Sequence, residues 1–379
     1  MATILNFVAV PEEIRRKAED FRTLKSKVFF LSYISKILHL HLVCHLTLGK
    51  IITLMLKLKS MIEFLITPQT ANQRVDKYVK KLLPDAPLSF IYKLFRKKDV
   101  KVNKAPVKIN YILQDKEVLT LYIDEQQYDD FRQKETLESK QFPYEIIYED
   151  ENILIVNKPA GLLVHGGNKK ETLTLTNAVL AYLKSQGEYD ETKGVTIAPA
   201  HRLDRNTAGL IVYGKSVRAL QALTSMFEAS AKISKKYLAI VSGNPLENGK
   251  IKKSLIKDHD SGMVIIKDTG DKALTTYEVL ENFASSALVE LNLISGRTHQ
   301  LRVHLASINH PIIGDGRYGD KEVNKKAQKE FNIANQLLVA HKLIFLNPPE
   351  PLEYLKGERF IAPLPKQFEY VLNRLRKKD

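Results

Sequence analysis

The sequence holds one cysteine, Cys44, and no tryptophan among its 379 residues. A single thiol excludes an internal disulfide framework and fits a reducing, cytoplasmic setting. A long, charge-free apolar run is missing too. The most apolar stretch, residues 28–58, is broken by Lys36, His39, His41, His45 and Lys50. A membrane helix needs about 20 predominantly apolar residues, so no membrane partner is expected. No small-residue cleavage site stands out, so a secretory signal is not expected either. His39, His41, Cys44 and His45 lie close together, but scattered residues of an amphipathic segment account for them. Residues 1–60 read as an upstream extension with no fold of their own. Met61-Ile62-Glu63-Phe64-Leu65-Ile66-Thr67-Pro68 then reads like the natural start of a module.

Charge of one sign is plentiful. Lys and Arg number 58 against 43 Asp and Glu, a net charge of +15. Such an excess favours an acidic partner, either nucleic acid or an anionic surface. It is unevenly spread. Residues 71–123 hold 12 Lys/Arg and 5 Asp/Glu, residues 1–60 hold 10 and 4, and the rest is close to neutral. Binding charge and catalytic body therefore look separable. With 44% apolar residues the chain can build a real core, and its length suits two or three domains.

The basic unit spans residues 61–123. Val75, Val79, Leu82 and Leu83 make a helical stripe over residues 73–83, with Arg74, Lys77, Lys80 and Lys81 on the other face. Pro84 and Pro87 break it, and Ser89 can cap a second helix over residues 90–97. Phe90, Ile91, Leu94 and Phe95 point inward there, while Lys93, Arg96, Lys97 and Lys98 gather outside. Short strands around Lys101 and over residues 118–123 complete the unit. One basic face on so small a unit points to phosphate contact, with Arg74, Lys77, Lys93, Arg96, Lys97 and Lys101 as the candidate groups. Residues 124–142 are polar and without an apolar period. They read as a linker, so the basic unit is expected to be tethered rather than packed.

The body, residues 143–379, carries three motifs. The first is Asn157-Lys158-Pro159-Ala160-Gly161-Leu162-Leu163-Val164-His165, a turn fixed by Pro159 and Gly161. The second is His201-Arg202-Leu203-Asp204-Arg205-Asn206-Thr207-Ala208-Gly209-Leu210. It sets one carboxylate between two arginines, and nearby positive charge favours the ionised form. That suits a nucleophile or base acting on a polyanion. The third is Leu293-Ile294-Ser295-Gly296-Arg297-Thr298-His299-Gln300-Leu301-Arg302-Val303-His304-Leu305-Ala306, where Thr298 or Ser295 can start a helix. Gly314-Asp315-Gly316-Arg317-Tyr318-Gly319 matches a dinucleotide-binding string, but no strand precedes it and no apolar helix follows, so no nucleotide cofactor is assigned.

The second motif resembles the signature of RluA-type pseudouridine synthases, usually His-Arg-Leu-Asp-Arg-Asp-Thr-Ser-Gly-Leu. Asn206 and Ala208 depart from it outside the core. The first and third motifs resemble the same family in the expected order. So does Lys235-Lys236-Tyr237-Leu238, its tyrosine motif. Residues 73–78, 91–96 and 100–103 resemble the alpha-L RNA-binding domain shared with ribosomal protein S-four. The resemblance covers about residues 61–379. It implies an α+β fold: a mixed, mostly antiparallel sheet with flanking helices and a central cleft, plus a small N-terminal alpha-L module. It implies that Asp204 acts at the sugar of a flipped uridine, that Tyr237 stacks on the base and offers a hydroxyl as a base, and that Arg297 pairs with Asp204. Arg202 would fill the vacated stack, with His201 and Arg205 also meeting RNA. Near the end, Val339 stands where the family usually has His, and a packing change is expected there.

Isomerising uridine to pseudouridine needs no redox partner or hydrolysis, so neither cofactor nor metal is expected. The RNA partner implied is large-subunit ribosomal RNA, acted on by a monomer. A transfer-RNA synthase is the near alternative. A decayed, binding-only ribosomal protein is opposed by Asp204, Tyr237 and Arg297 standing together. A glycosidase would need two carboxylates at the bond, and no second one sits in a matching motif.

Overall fold

A computed structural model describes residues 60–132, 142–166, 174–258 and 261–378. The His and Cys cluster, and the proposed extension of residues 1–60 apart from Ser60, lie outside them.

The basic unit is built from β1 (Ser60–Leu65), α1 (Val75–Leu82), α2 (Leu88–Arg96), β2 (Val100–Val102), β3 (Ala105–Pro106) and β4 (Val118–Ile123). Its sheet runs β1-β4-β2-β3. Val75, Tyr78, Val79 and Leu82 are buried on α1, as the helical period requires. On α2 the buried residues are Ile91 and Leu94. Ser89 does not cap this helix; Pro87 stands at the N-cap with its φ preset.

Two expectations about this unit fail. Part of the proposed linker is a helix, α3 (Glu125–Phe131), with the Phe131 ring 4.9 Å from Phe90 and the Tyr128 ring 6.4 Å from Phe64. Nor is the unit merely tethered, because residues 62–122 and 126–379 fall in one compact unit. The Tyr78 hydroxyl donates to the Lys193 carbonyl at 2.9 Å, and the Lys81 ammonium donates to Thr196 Oγ1. Both partners are more than a hundred residues away, so local polarity could not reveal them.

The body carries an eleven-stranded sheet of β5 (Glu145–Glu149), β6 (Ile153–Lys158), β7 (Ala198–Pro199), β8 (Ala208–Gly214), β9 (Ile233–Ser242), β10 (Asn248–Lys257), β11 (Val264–Ile266), β12 (Asp271–Phe283), β13 (Ser286–Leu293), β14 (Leu338–Phe345) and β15 (Arg359–Ile361). The order is β11-β10-β12-β13-β9-β14-β8-β6-β5, with β15 on β14 and β7 on β8. Every pairing is antiparallel except β14 with β8. The helices are α4 (Leu175–Ser185), α5 (Val217–Glu228), α6 (Gln300–Ala306), α7 (Lys321–Phe331) and α8 (Lys366–Arg376). Among the described residues no helix is long and apolar enough to cross a membrane.

β8 is buried at every residue, so the strand after the second motif lies in the middle of the body. Leu154, Val156, Ile211 and Tyr213 pack with Leu175, Val179 and Leu183 of α4 on one face. Ile153, Ile155, Leu210 and Val212 meet Ala219, Leu223 and Met226 of α5 on the other. Val339 is buried with Leu238, Ile240 and Val371, so an apolar contact stands at that position. Gly209 is needed where β8 meets β14. Its φ is +115°, and a Cβ there would lie 2.2 Å from the Ala340 carbonyl oxygen. Only glycine lets these backbones approach so closely.

Candidate active site

The turn between β7 and β8 holds Asp204 at the mouth of the sheet, where the Thr207 amide donates to its carbonyl at 3.1 Å. Leu203 and Thr207 anchor the turn from inside, and Gln336 donates to Thr207 Oγ1 at 2.9 Å. A second anchor comes from the first motif. The fully buried Lys158 donates through Nζ to the carbonyls of Pro159, Leu162 and Arg205 at 2.9, 2.9 and 3.0 Å. Burial pushes its ammonium down to about 7, and the Asp204 charge acts in the opposite direction. Three acceptors around one nitrogen suit the charged, three-proton form. Lys158 therefore ties the first motif to the loop that carries Asp204, a role its sequence context did not suggest.

The guanidinium on Asp204 is that of Arg302, with Nη1 donating to Oδ2 at 2.7 Å. This corrects the expectation that Arg297 pairs with Asp204. Arg297 is half exposed, and its Nη1 lies 3.5 Å from Asp271. The reason is helix phase. Gln300 folds back and accepts from the Arg297 amide at 3.1 Å and from the Ser295 hydroxyl at 2.8 Å, so α6 begins after Arg297. Neither Thr298 nor Ser295 caps it; His299, left-handed at φ +54°, stands at the N-cap. His299 and Arg302 are three residues apart and share the face turned to Asp204. That spacing is present in the third motif, but it marks Arg302 only once the helix is known to begin at Gln300.

Arg302 is buried and gripped from behind. Its Nε and Nη2 donate to Asp315 Oδ2 and Oδ1 at 2.7 and 2.8 Å. Asp315 also accepts from the amides of Arg317 and Tyr318 at 2.9 and 3.1 Å. Burial pushes the Asp315 carboxyl up, but the Arg302 fork and the two amides outweigh it and hold it below the usual range. The string Gly314–Gly319 is thus a buttress of the site. Asp315 is ionised and occupied, which removes it as the acid a glycosidase would require.

Tyr237 projects from β9 into the same cleft and is buried. Burial, and then the Asp204 charge, push its phenol well above the ordinary value. It keeps its proton at neutral pH, so it offers an apolar face and a donor rather than a base. His201 does not face RNA as expected. Its ring stacks on Phe227 at 4.1 Å, and its Nε2 accepts from the Val212 amide at 3.3 Å. Burial, helped by the Lys235 charge, pushes it down to about 3, so it is a neutral structural ring. Arg202 and Arg205 are exposed at the rim.

Asp204, His299 and Arg302 line a cleft of about 630 Å3, with Leu163, His165, Asn206, Arg317 and Gln336 around them and Arg202 and Arg205 beside it. A groove of about 200 Å3 adjoins it and adds Tyr237 and Arg297. On the basic unit, Lys77, Lys93, Arg96 and Lys97 are exposed. Arg74 is exposed and forked onto Asp76 at 3.0 Å, and Lys101 lies 4.5 Å from the Tyr122 ring centre. Lys80 turns inward, its ammonium bound to the carbonyls of Pro84 and Ala86.

One carboxylate, one buried arginine and one buried tyrosine stand together at a basic-rimmed cleft. Comparison with known proteins agrees. The sequence profile of RNA pseudouridylate synthase matches residues 152–307. "Ribosomal large subunit pseudouridine synthase C" of Vibrio cholerae is 31% identical over 84% of this chain and 99% of its own length. The chain belongs to the RNA pseudouridine synthase family. The same-named protein of Vibrio vulnificus is 32% identical to this synthase over 82% of the chain and 95% of its own length. The solved structure "Human RNA Pseudouridylate Synthase Domain Containing 4" is 28% identical to the synthase at a TM-score of 0.50. It covers 61% of this chain and 92% of its own. The mixed, mostly antiparallel architecture agrees with that likeness. The synthase is an RNA isomerase of the RluA family.

Proposed function

We propose that the synthase converts uridines of large-subunit ribosomal RNA to pseudouridine, with Asp204 as the reacting carboxylate. The observation that carries this reading is the grip of Arg302 on Asp204 Oδ2 at the floor of the cleft, beside the buried Tyr237 ring. The names borne by the curated relatives support the choice of RNA. A structured target must first leave its stack, at roughly a few kcal/mol. Arg202 at the rim fills the space left behind, and the uracil rests on Tyr237. Asp204 then acts at the sugar while Arg302, held by Asp315, keeps it aimed. The base turns and rejoins through carbon, so the atoms of the nucleotide are conserved. Exclusion of water strengthens each of these contacts.

The basic unit of residues 62–122 serves as an S-four-like RNA-binding module. Its exposed cations on or beside two amphipathic helices, Lys77, Lys93, Arg96 and Lys97 among them, support that role. They supply affinity that salt weakens, without sequence choice. A cytoplasmic setting follows from the single thiol.

Pseudouridine mapping in cells tests the whole reading. Carbodiimide-dependent reverse-transcription stops are compared between wild type and Asp204→Asn. Stops should vanish at particular large-subunit uridines while RNA affinity stays nearly unchanged. Turnover by Asp204→Asn would remove Asp204 from its role. An unchanged ribosomal pattern with altered transfer RNA would move the substrate.

A further inference from the structure

A hydrogen-bonded chain that starts from a backbone amide ends at His299, beside Asp204. Val264 N–H donates to the Tyr318 hydroxyl oxygen at 2.9 Å. That oxygen lies 2.8 Å from His299 Nδ1. With the amide donating to it, the hydroxyl directs its own proton to the ring nitrogen. Burial, the leading influence, lowers the His299 pKa, which keeps the imidazole neutral. A neutral ring that accepts at Nδ1 carries its hydrogen on Nε2. The Tyr318 ring also stands edge-on to His299 at 5.5 Å, so the imidazole is fixed in orientation as well as tautomer.

Nε2 lies 3.8 Å from Asp204 Oδ2. That is too long for a hydrogen bond and leaves the N–H unspent at the cleft. Two polar atoms so spaced can share a third group at ordinary hydrogen-bond lengths from each. The shared group must accept from the ring and donate to the carboxylate. A hydroxyl does both. The ribose 2′-hydroxyl is such a group, adjoins the carbon where the base is attached, and separates RNA from DNA.

We propose that His299 and Asp204 together hold the 2′-hydroxyl of the target uridine, His299 as donor and Asp204 as acceptor, and so read ribose against deoxyribose. Oδ2 serves Arg302 and the hydroxyl, and Oδ1 is left for the sugar carbon. Tyr318 is a positioning residue that acts through the His299 tautomer. The inference rests on Asp204 as the reacting carboxylate.

The test uses the full chain and a large-subunit ribosomal RNA fragment spanning a mapped uridine. The fragment is made with uridine or a single 2′-deoxyuridine at that position. Discrimination is the ratio of single-turnover rates, or of dissociation constants where the deoxy RNA does not react. His299→Ala should lose about fivefold to tenfold of the wild-type discrimination, the worth of one net hydrogen bond. His299→Gln, which restores an N–H at similar reach, should recover most of it. Tyr318→Phe should lose part, because the tautomer is released. Equal discrimination by wild type, His299→Ala and Tyr318→Phe overturns the proposal. If His299→Ala does not fold, the Gln and Phe variants decide. Asp204→Asn on the uridine RNA runs alongside: turnover there fails the underlying reading, whereas an inactive Asp204→Asn with undiminished discrimination in His299→Ala fails this inference alone.

Discussion

Replacing Arg302 and Arg297 separately by Met gives a sharp contrast, because the two arginines stand in one motif and in opposite surroundings. Arg302 makes three charge-assisted bonds of 2.7–2.8 Å to two carboxylates, and its side chain is 7% exposed. Met fills a similar volume but leaves Asp315 as a buried carboxylate without a counter-charge. Breaking a buried pair from one side costs about 3–5 kcal/mol. Arg297 is 47% exposed and stands 3.5 Å from an Asp271 that is 69% exposed. Such a pair contributes about 0–1 kcal/mol.

Urea unfolding at neutral pH should therefore separate the variants by several kcal/mol. The Arg302→Met deficit should shrink on acidification. In wild type the depressed Asp315 carboxyl contributes stability above its usual 3.8 that fades as pH falls through its folded pKa. In Arg302→Met the same carboxyl is raised by burial alone, so its penalty stands at high pH and is relieved as pH falls. Single-turnover assays should show near-complete loss for Arg302→Met and a modest loss for Arg297→Met. An inactive Arg297→Met beside an Arg302→Met with wild-type turnover and stability would refute this division of roles.

Other perturbations reach other parts of the molecule. Changing Lys77, Lys93, Arg96 and Lys97 to Ala should weaken RNA binding and flatten its salt slope by roughly 0.7–0.9 for each phosphate no longer neutralised; an unchanged slope, read by filter binding, would clear those cations of meeting phosphate. His201 is pushed from 6.5 to about 3, so unfolding takes up a proton between these values and stability falls as pH drops through that window. His201→Gln, whose amide oxygen can accept from Val212, should flatten that acid limb in thermal melts, and an unaltered limb would mean the ring is not held neutral. Gly209→Ala should lower stability by about 3 kcal/mol, because the added carbon meets the Ala340 carbonyl at a positive φ. A urea midpoint equal to wild type would mean that β8 and β14 do not approach as described.

The chemistry was more legible in the chain than the contacts that aim it. Asp204 stood out as a carboxylate between two arginines, whereas Tyr237 was marked only by the resemblance of its stretch to a family motif. Their partner could not be chosen by residue type, since the third motif offers Arg297 and Arg302 alike. The answer lies in where α6 begins, and that depends on Gln300 folding back onto Arg297 and Ser295. His201 looked like a rim residue because it adjoins Arg202, yet in the bend after β7 its ring stacks on Phe227 and accepts from the Val212 amide. The helix Glu125–Phe131 has no apolar period, and its aromatic contacts with Phe64 and Phe90 come from elsewhere in the chain. The strand Ile153–Lys158 is buried over its apolar residues and the helix Val217–Glu228 buries one apolar face, so local pattern and packing agree in both.

β14 sits between β9 and β8, in the middle of the large sheet, although it comes near the end of the chain. Domains fold as units during synthesis, which proceeds at roughly 5–20 residues per second. A nascent chain that stops short of Leu338 holds two partial sheets with no strand between them. One carries Asp204, and the other leads to Tyr237 and Arg302. The ribosome must therefore deliver nearly the whole polypeptide before the carboxylate and its arginine can meet. The active site is thereby completed only when translation is almost over.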